Sequence, residues 1–171
     1  MQPLVAQGVC YGASDIVADE EATRASAVEL AAQLPQGIRV LHSPLLRCRQ
    51  LTGELLRLRP DLNATADSRL VEMSFGEWEG WRWDDIPKSA IDQWTAQFAH
   101  WRFGGRESVQ EMLDRVAAVW DETHATGQPA AWVTHAGVIR AAWLLSRGIT
   151  RLQTSEQWPH EAIAFGSCMR L

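Results

Sequence analysis

The sequence predicts an α/β fold in three layers (αβα), in which helices cover both faces of a mostly parallel sheet. Short apolar strands alternate with helical segments along the chain, which is typical of parallel sheets buried on both sides. Three polar residues, Ser43, Glu72 and His135, follow predicted strands. Because ligands of such sheets bind beyond the carboxyl ends of the strands, these positions mark the expected site.

The predicted elements follow from apolar spacing and from residues that start or end helices. Residues 19–34 are rich in alanine and predict a helix. Ser43 and Pro44 are the expected N-cap and first residue of the next helix, which runs to about Leu58. The clearest helix spans residues 107–123, because its apolar residues recur every three or four positions. The other predicted elements are strands at residues 38–42, 63–71, 130–134 and 162–171, and helices at residues 87–101 and 137–146.

Composition restricts the classes of function. A chain of 171 residues predicts one domain, residues 1–171, with an ample core. The net charge of −5 argues against binding to nucleic acid or to acidic membranes, which favour basic patches. Three cysteines without metal-ligand spacing, and the lack of a signal peptide or membrane-spanning run, predict a reducing, cytoplasmic setting. The oligomeric state is not readable, although an open sheet edge would favour a dimer.

His135 stands at a turn from a strand into a helix. Apolar residues 130–133 run into His135, and Ala136 and Gly137 then open the next helix. This geometry raises an imidazole to the carboxyl end of a buried strand and directs the first N–H groups of the helix towards an anion. A core histidine held by a backbone partner is the alternative, but the small-residue turn favours a functional histidine.

Arg47 falls in the first turn of the helix that follows the strand at residues 38–42. A guanidinium there can bind a phosphoryl group in a bidentate manner, and the helix N-terminus adds partial positive charge. Because cations are disfavoured in a first helical turn, Arg47 suits this position best when an anion is bound. The alternative is a solvated arginine on a helix face.

Glu72 has apolar and aromatic neighbours. Such surroundings raise the pKa of a carboxyl group and keep it available as a proton donor to a leaving oxygen. The alternative is an ordinary carboxylate at the end of a strand. Glu77 and Glu79 lie in a more polar stretch, and we expect both to be solvated.

Two glycine-containing loops complete the candidate site. Residues 8–15 could bring backbone N–H groups close to a phosphate, and an ordinary turn is the alternative. Residues 104–108 form a loop and a helix start, for which simple capping is the alternative. The sequence contains no phosphate loop and no dinucleotide glycine fingerprint, which argues against a nucleotide-binding α/β domain.

Together these segments resemble the histidine phosphatase superfamily, which includes the phosphoglycerate mutases. The loop Gly8-Val-Cys-Tyr-Gly12 and the run Phe-Gly-Glu-Trp-Glu-Gly look most like the branch that contains α-ribazole phosphate phosphatases of cobalamin synthesis. The matching segments stand in family order with family spacing and cover nearly the whole chain. They are Ser43-Pro-Leu-Leu-Arg47, Glu72-Met-Ser-Phe-Gly-Glu-Trp-Glu-Gly80, Gly104-Gly-Arg-Glu-Ser108 and Val133-Thr-His-Ala-Gly-Val-Ile-Arg140.

The resemblance implies a phosphatase that acts on a small phosphorylated metabolite such as α-ribazole phosphate, without a metal or another cofactor. Hydrolysis is favoured over mutase chemistry because mutases of this family generally carry longer insertions. The resemblance implies that Arg47 is a phosphate ligand, Glu72 the proton donor and His135 the second histidine, which holds the transferred phosphoryl group. It further implies substrate contacts at Tyr11, Gly12 and Ala136.

One motif of the family is missing. The family carries its nucleophilic histidine in an Arg-His pair at the end of the first, central strand, and this chain contains no Arg-His dipeptide. By the spacing of the α-ribazole-like branch, that histidine would precede Met1. Two interpretations stay open: a start placed too late, which we favour, or a natively short pseudo-enzyme that binds phosphate esters. In both, the chain is truncated relative to the family, and we expect little activity and two unpaired strand edges in the sheet.

Overall fold

The fold of residues 2–171, which the computed structural model describes, is built on a three-stranded parallel sheet. Its strands are β1 (Arg39–His42), β2 (Asn63–Ala66) and β3 (Ala130–Val133), in the order β2-β1-β3. The central strand β1 pairs with each neighbour over all 4 of its residues. The prediction of an α/β fold with a parallel sheet is therefore confirmed.

The helices alternate with the strands, as expected. Asp19 caps the first helix by accepting from the Ala22 N–H at 2.7 Å. Ser108 and Glu111 form a reciprocal capping box at the start of the fourth helix, which satisfies two otherwise free N–H groups. Across the described residues, no helix is both long and apolar enough to cross a bilayer. The helices are α1 (Glu20–Gln33), α2 (Leu46–Leu58), α3 (Lys88–Ala96), α4 (Val109–Ala125) and α5 (Ala136–Leu145).

Two apolar cores hold the sheet between its helices. On one side, α1 packs against α2, and the core includes Ala27, Leu55 and Val40 of the central strand. On the other side, α4 packs against α5, and the core includes Val116 and Leu144. Burial of apolar side chains on both faces is the main stabilising contribution, and it leaves the strand ends as the place for polar chemistry.

A third, aromatic cluster fixes the segment that follows Glu72. Phe103 is fully buried at its centre. The ring of Trp94 stacks on Phe103 at 4.5 Å between centroids, and the ring of Phe75 meets Phe103 edge-on at 6.2 Å. This cluster lies beside the candidate site and gives residues 75–103 a rigid base.

Two expectations about strands differ from the structure. The strand predicted at residues 162–171 does not form, and Phe165, Met169 and Leu171 are exposed there. A strand needs a partner edge as well as apolar residues, and no strand pairs with this segment. The strand predicted at residues 63–71 ends at Ala66. Among the described residues, β1 pairs on both sides, whereas β2 and β3 each pair on one side only, so the sheet has two outer edges without a strand partner.

Candidate active site

The side chain of Arg47 joins three segments of the chain near the carboxyl ends of the strands. Its Nη2 donates to the carbonyl oxygen of Gly12 at 2.7 Å, and its Nη1 donates to that of Ser14 at 2.8 Å. Its Nε donates to Nδ1 of His135 at 3.2 Å. Only 4% of Arg47 is exposed, so the alternative of a solvated arginine is wrong.

The loop before Arg47 explains how a cation is tolerated in the first turn of α2. The carbonyl oxygens of Gly12 and Ser14 direct partial negative charge at the guanidinium. Asp15 accepts the N–H of Leu46, the residue at which α2 begins, and so places a carboxylate at the helix N-terminus. The loop therefore supplies much of the negative charge that the sequence argument assigned to a bound anion.

The hydrogen bonds of His135 determine its tautomer. Because Nε of Arg47 can only donate, Nδ1 of His135 is the acceptor and Nε2 carries the proton of the neutral ring. Nε2 then donates to Oγ of Ser43 at 2.8 Å. Burial, and then the charges of Arg47 and Arg115, lower the pKa of His135 to about 3, so the ring is neutral at pH 7. His135 is therefore held by side chains rather than by the backbone partner of the alternative interpretation.

Ser43 takes part in the site rather than in a helix cap. The sequence predicted Ser43 as the N-cap of a helix beginning at Pro44, whereas α2 begins at Leu46 and has Leu45 at its cap position. The hydroxyl of Ser43 is fully buried and engages Nε2 of His135. The Ser43 hydroxyl therefore has a tertiary partner, His135, in addition to a local one, the N–H of Leu45 at 3.3 Å.

Cys48 also lies against the imidazole. Its Sγ is 3.5 Å from Nε2 of His135, and the residue is fully buried. Burial raises the pKa of the Cys48 thiol to about 12, so the sulfur stays protonated and is a poor nucleophile. In the part of the chain that the structure describes, no three His, Cys, Asp or Glu side chains are grouped to hold a metal ion.

The carboxylate of Glu72 occupies the N-terminus of α5. Its Oε2 accepts the N–H of Gly137 at 3.0 Å, and its Oε1 accepts the N–H of Met73 at 3.0 Å. A Cβ at residue 137 would overlap this carboxylate, which accounts for glycine there. The sequence predicted that the first N–H groups of this helix face a bound anion. In the structure, one of them, the N–H of Gly137, donates to Glu72 instead.

Three further predicted residues surround Arg47 and His135. The Tyr11 ring lies under the guanidinium of Arg47, 5.7 Å from Cζ to the ring centroid. Gly12 offers its carbonyl oxygen rather than its N–H, and a Cβ there would overlap the carbonyl of Met73. Ala136 is the first residue of α5 and directly follows His135. Tyr11, Gly12, Arg47, His135 and Ala136 are thus joined to one another by contact or by sequence, whereas Glu72 is linked to them through Gly137 at the start of α5.

Sequence reasoning missed a second layer of ionic contacts. Arg115 donates from Nε to Oε1 of Glu107 at 2.6 Å, and from Nη1 to the carbonyls of Arg69 and Val71 at 2.6 Å each. Glu107 also accepts the N–H of Ser74 at 3.0 Å. The Arg115–Glu107 ion pair therefore fixes the backbone on both sides of Glu72. In the sequence, only the position of Glu107 within the motif at residues 104–108 could have suggested this role.

Glu79 is also placed differently from the sequence expectation. Its carboxylate accepts the backbone N–H groups of Ala13 and Phe75 at 3.0 Å each, and the hydroxyl of Ser14. The expectation that Glu79 is solvated is wrong, because these partners lie under the turn that carries it. Glu77 is exposed, as expected.

A polar cleft opens beside these residues. It has a volume of about 500 Å³ and is lined by Ala13, Ser14, Ser74, Gly76, Glu77, Glu79, Gly104 and Arg106. The wall formed by Ser14 is shared with the site, since the Ser14 carbonyl binds Arg47. The cleft therefore borders the loop that binds Arg47, although Arg47, Glu72 and His135 are not among its lining residues.

The fold is similar to those of several solved structures. "Mycobacterial hydrolase 2" aligns with a TM-score of 0.75 and 22% identity, over 91% of this chain and 71% of that one. A mycobacterial glucosyl-3-phosphoglycerate phosphatase aligns with a TM-score of 0.74 and 21% identity, over 91% of this chain and 79% of that one. TTHB049 from Thermus thermophilus aligns with a TM-score of 0.62 and 26% identity, over 79% of this chain and 73% of that one.

Sequence comparison is consistent with this likeness of fold. No curated protein matches the chain significantly. The family model of the histidine phosphatase superfamily (branch 1) matches residues 6–163, nearly the whole chain. This match, together with the parallel sheet and the arginine and histidine at its strand ends, shows that the chain belongs to the histidine phosphatase superfamily.

Proposed function

We propose that this protein hydrolyses the phosphate monoester of a small metabolite at the site formed by Arg47, Glu72 and His135. The observation that carries the proposal is the direct hydrogen bond between Arg47 and His135. Glu72 is bound at the start of α5, the helix that directly follows His135. Membership of the superfamily supports phosphatase chemistry. The roles of the three residues rest on their geometry and on the family resemblance.

Arg47 is the proposed phosphate ligand. A guanidinium has five N–H donors, and three of those of Arg47 are used within the described residues. One N–H on each Nη is left for phosphoryl oxygens, which suits the bidentate geometry that arginine favours. The three existing hydrogen bonds hold the guanidinium in place, so little ordering is needed when the ligand binds.

His135 and Glu72 are proposed to act on either end of the ester bond. The Nε2–H of His135 can turn from Ser43 to a phosphoryl oxygen, and a bound dianion would raise the pKa of the ring. As the attacking nitrogen bonds to phosphorus and the P–O bond breaks, Glu72 in its protonated form would give a proton to the leaving alcohol oxygen, and water would then hydrolyse the phosphohistidine. The family resemblance assigns the attacking nitrogen to the histidine of an Arg-His pair, which this sequence does not contain.

The substrate is proposed to carry a polar alcohol part that enters the cleft beside Ser14. The resemblance of residues 8–12 and 75–80 to the α-ribazole-like branch makes α-ribazole phosphate the first substrate to test. Glucosyl-3-phosphoglycerate is the second, because a phosphatase named for that compound shares the fold. Both are phosphate esters of polar alcohols.

A second candidate function is a phosphate-ester binder without turnover. The absence of an Arg-His dipeptide favours it, since the remaining residues can bind a phosphoryl group but lack the family's attacking histidine. The two functions differ in one measurable respect. A binder is stabilised by ligand and releases no phosphate.

Phosphate release from a panel of esters tests the proposal. Two forms are compared: the chain of 171 residues, and a form that adds the residues encoded in frame upstream of Met1. Turnover by the extended form that falls by about 10²-fold or more in Glu72→Gln, but not in Glu29→Gln at an exposed position of α1, supports the enzyme, since general acids contribute about 10²–10⁴-fold.

Stabilisation by esters without turnover in both forms supports the binder instead. The proposal of a phosphate site fails if neither form releases phosphate and no ester, inorganic phosphate or vanadate raises the melting temperature.

A further inference from the structure

The turn that carries Glu79 is tied to the loop that carries the partners of Arg47. Oε1 of Glu79 accepts the N–H of Ala13 at 3.0 Å and that of Phe75 at 3.0 Å, so one oxygen joins the two segments. Oε2 accepts the hydroxyl of Ser14. These contacts link segments about 65 residues apart in sequence.

The loop held in this way is the one that fixes Arg47. Ala13 lies between Gly12 and Ser14, whose carbonyl oxygens accept two N–H groups of Arg47. Arg47 in turn donates to His135. A continuous chain of hydrogen bonds therefore runs from the carboxylate of Glu79 through the backbone loop to the imidazole.

The charge of Glu79 suits this role. Partial burial alone would raise the pKa of the carboxyl, but hydrogen bonds from Ser14, Phe75 and Ala13 more than offset burial and lower the pKa below its usual range. The group is therefore an anion at pH 7, and hydrogen bonds to anions are among the stronger ones in proteins.

We propose that Glu79 is a positioning residue, which holds the Gly12–Ser14 loop so that Arg47 stays in register with His135. The effect of Glu79 on catalysis rests on the proposed function, whereas its effect on the position of the Gly12–Ser14 loop does not. Glu79 borders the cleft, but both of its carboxylate oxygens are bound within the fold, so its proposed role is to act through the loop. Glu77 provides the contrast: it lies two residues earlier in the same turn and is exposed.

Hydrogen exchange of the Arg47 Nε–H, followed by NMR, tests the positioning directly. In Glu79→Ala, we expect this proton to exchange at least tenfold faster than in the wild type, while the backbone amides of β1 keep their exchange rates. Glu77→Ala should leave both unchanged. Glu79→Gln should restore most of the protection, because its amide oxygen can accept from Ala13 and its amide nitrogen can donate to Ser14.

A purely structural role would give a different result, namely faster exchange at Arg47 and in β1 alike, and that result would overturn the proposal. Unchanged exchange at Arg47 in folded Glu79→Ala would overturn it as well. If Glu79→Ala does not fold, Glu79→Asp replaces it, since the shorter side chain cannot hold Ala13 and Ser14 as Glu79 does.

The exchange measurement is independent of turnover, so the two proposals fail separately. If the extended wild type releases phosphate, we expect kcat/KM to fall at least tenfold in Glu79→Ala and less than twofold in Glu29→Ala, whose side chain is exposed on α1 away from the cleft. If the wild type releases none, the proposed function fails, while tenfold faster exchange at Arg47 alone still supports the positioning role.

Discussion

Mild acid should destabilise this protein through His135, before most carboxylates are protonated. In the unfolded chain the imidazole takes up a proton near its ordinary pKa of about 6.5, whereas in the folded protein its pKa is lowered to about 3. As the pH falls below about 6.5, the unfolded state therefore binds a proton that the folded state does not. The contribution to stability is fully present above that pH and is lost progressively on acidification.

The size of the effect follows from the two pKa values. Each pH unit between them changes the free energy of unfolding by about 1.4 kcal/mol, so the change from pH 7 to pH 5 costs about 2 kcal/mol. For a chain of this length, that corresponds to roughly 4–8 °C in melting temperature. The lowered pKa values of Asp67 and Glu122 act in the same direction but mainly below pH 5.

Urea unfolding at pH 7, 6 and 5 measures this loss. His135→Asn keeps an oxygen that can accept from Arg47 but cannot gain a proton in this range. We expect the variant to lose about 2 kcal/mol less than the wild type between pH 7 and pH 5. The exposed His100, changed to Gln, is the control and should behave as the wild type. Equal pH slopes for the wild type and His135→Asn would refute the reasoning that His135 is buried and neutral.

Two further outcomes are expected, one on glycines and one on thiols. Gly12→Ala should destabilise the fold by about 3 kcal/mol or more in urea unfolding, because its Cβ would overlap the carbonyl of Met73. Gly53→Ala in α2 has open space around the new Cβ, and it should stabilise the fold by up to about 1 kcal/mol in the same assay. Of the three cysteines, only the exposed Cys168 should react with a thiol reagent at pH 8 in the native protein, since burial raises the pKa of Cys10 and Cys48 to about 12. Native labelling of more than one thiol would contradict this burial.

The segments that local chemistry determines were predictable from the sequence. The strand before His135 and the helix after it follow from an apolar run and a small-residue turn, and the structure places them at 130–133 and 136–145. The apolar spacing of α4 likewise predicted its buried face, with Val116 and Leu113 inside. Arg47 and Glu72 fall beside His135 because each follows a strand of one parallel sheet.

What could not be predicted depends on partners distant in sequence. Ser43 looks like a helix cap in its own segment, and only the position of His135 makes it a buried hydrogen-bond partner. Glu79 stands in a polar stretch, yet the N–H of Ala13 draws its carboxylate inward. Residues 162–171 are rich in apolar residues, and no sequence rule reports whether a free strand edge lies within reach.

The bond between Arg47 and His135 spans 88 residues, and this has a consequence for how the molecule folds. Joining such distant residues closes a long loop. The conformational entropy of that loop is lost before the contacts between its two ends can compensate for it. While residues from about 130 onwards are still inside the ribosome, a nascent chain lacks both β3 and the imidazole, so it can form α1 and α2 but not the Arg47–His135 hydrogen bond. The proposed site therefore forms only once β3 and α5 have joined the fold, and a ligand bound there would stabilise the entire fold rather than one region.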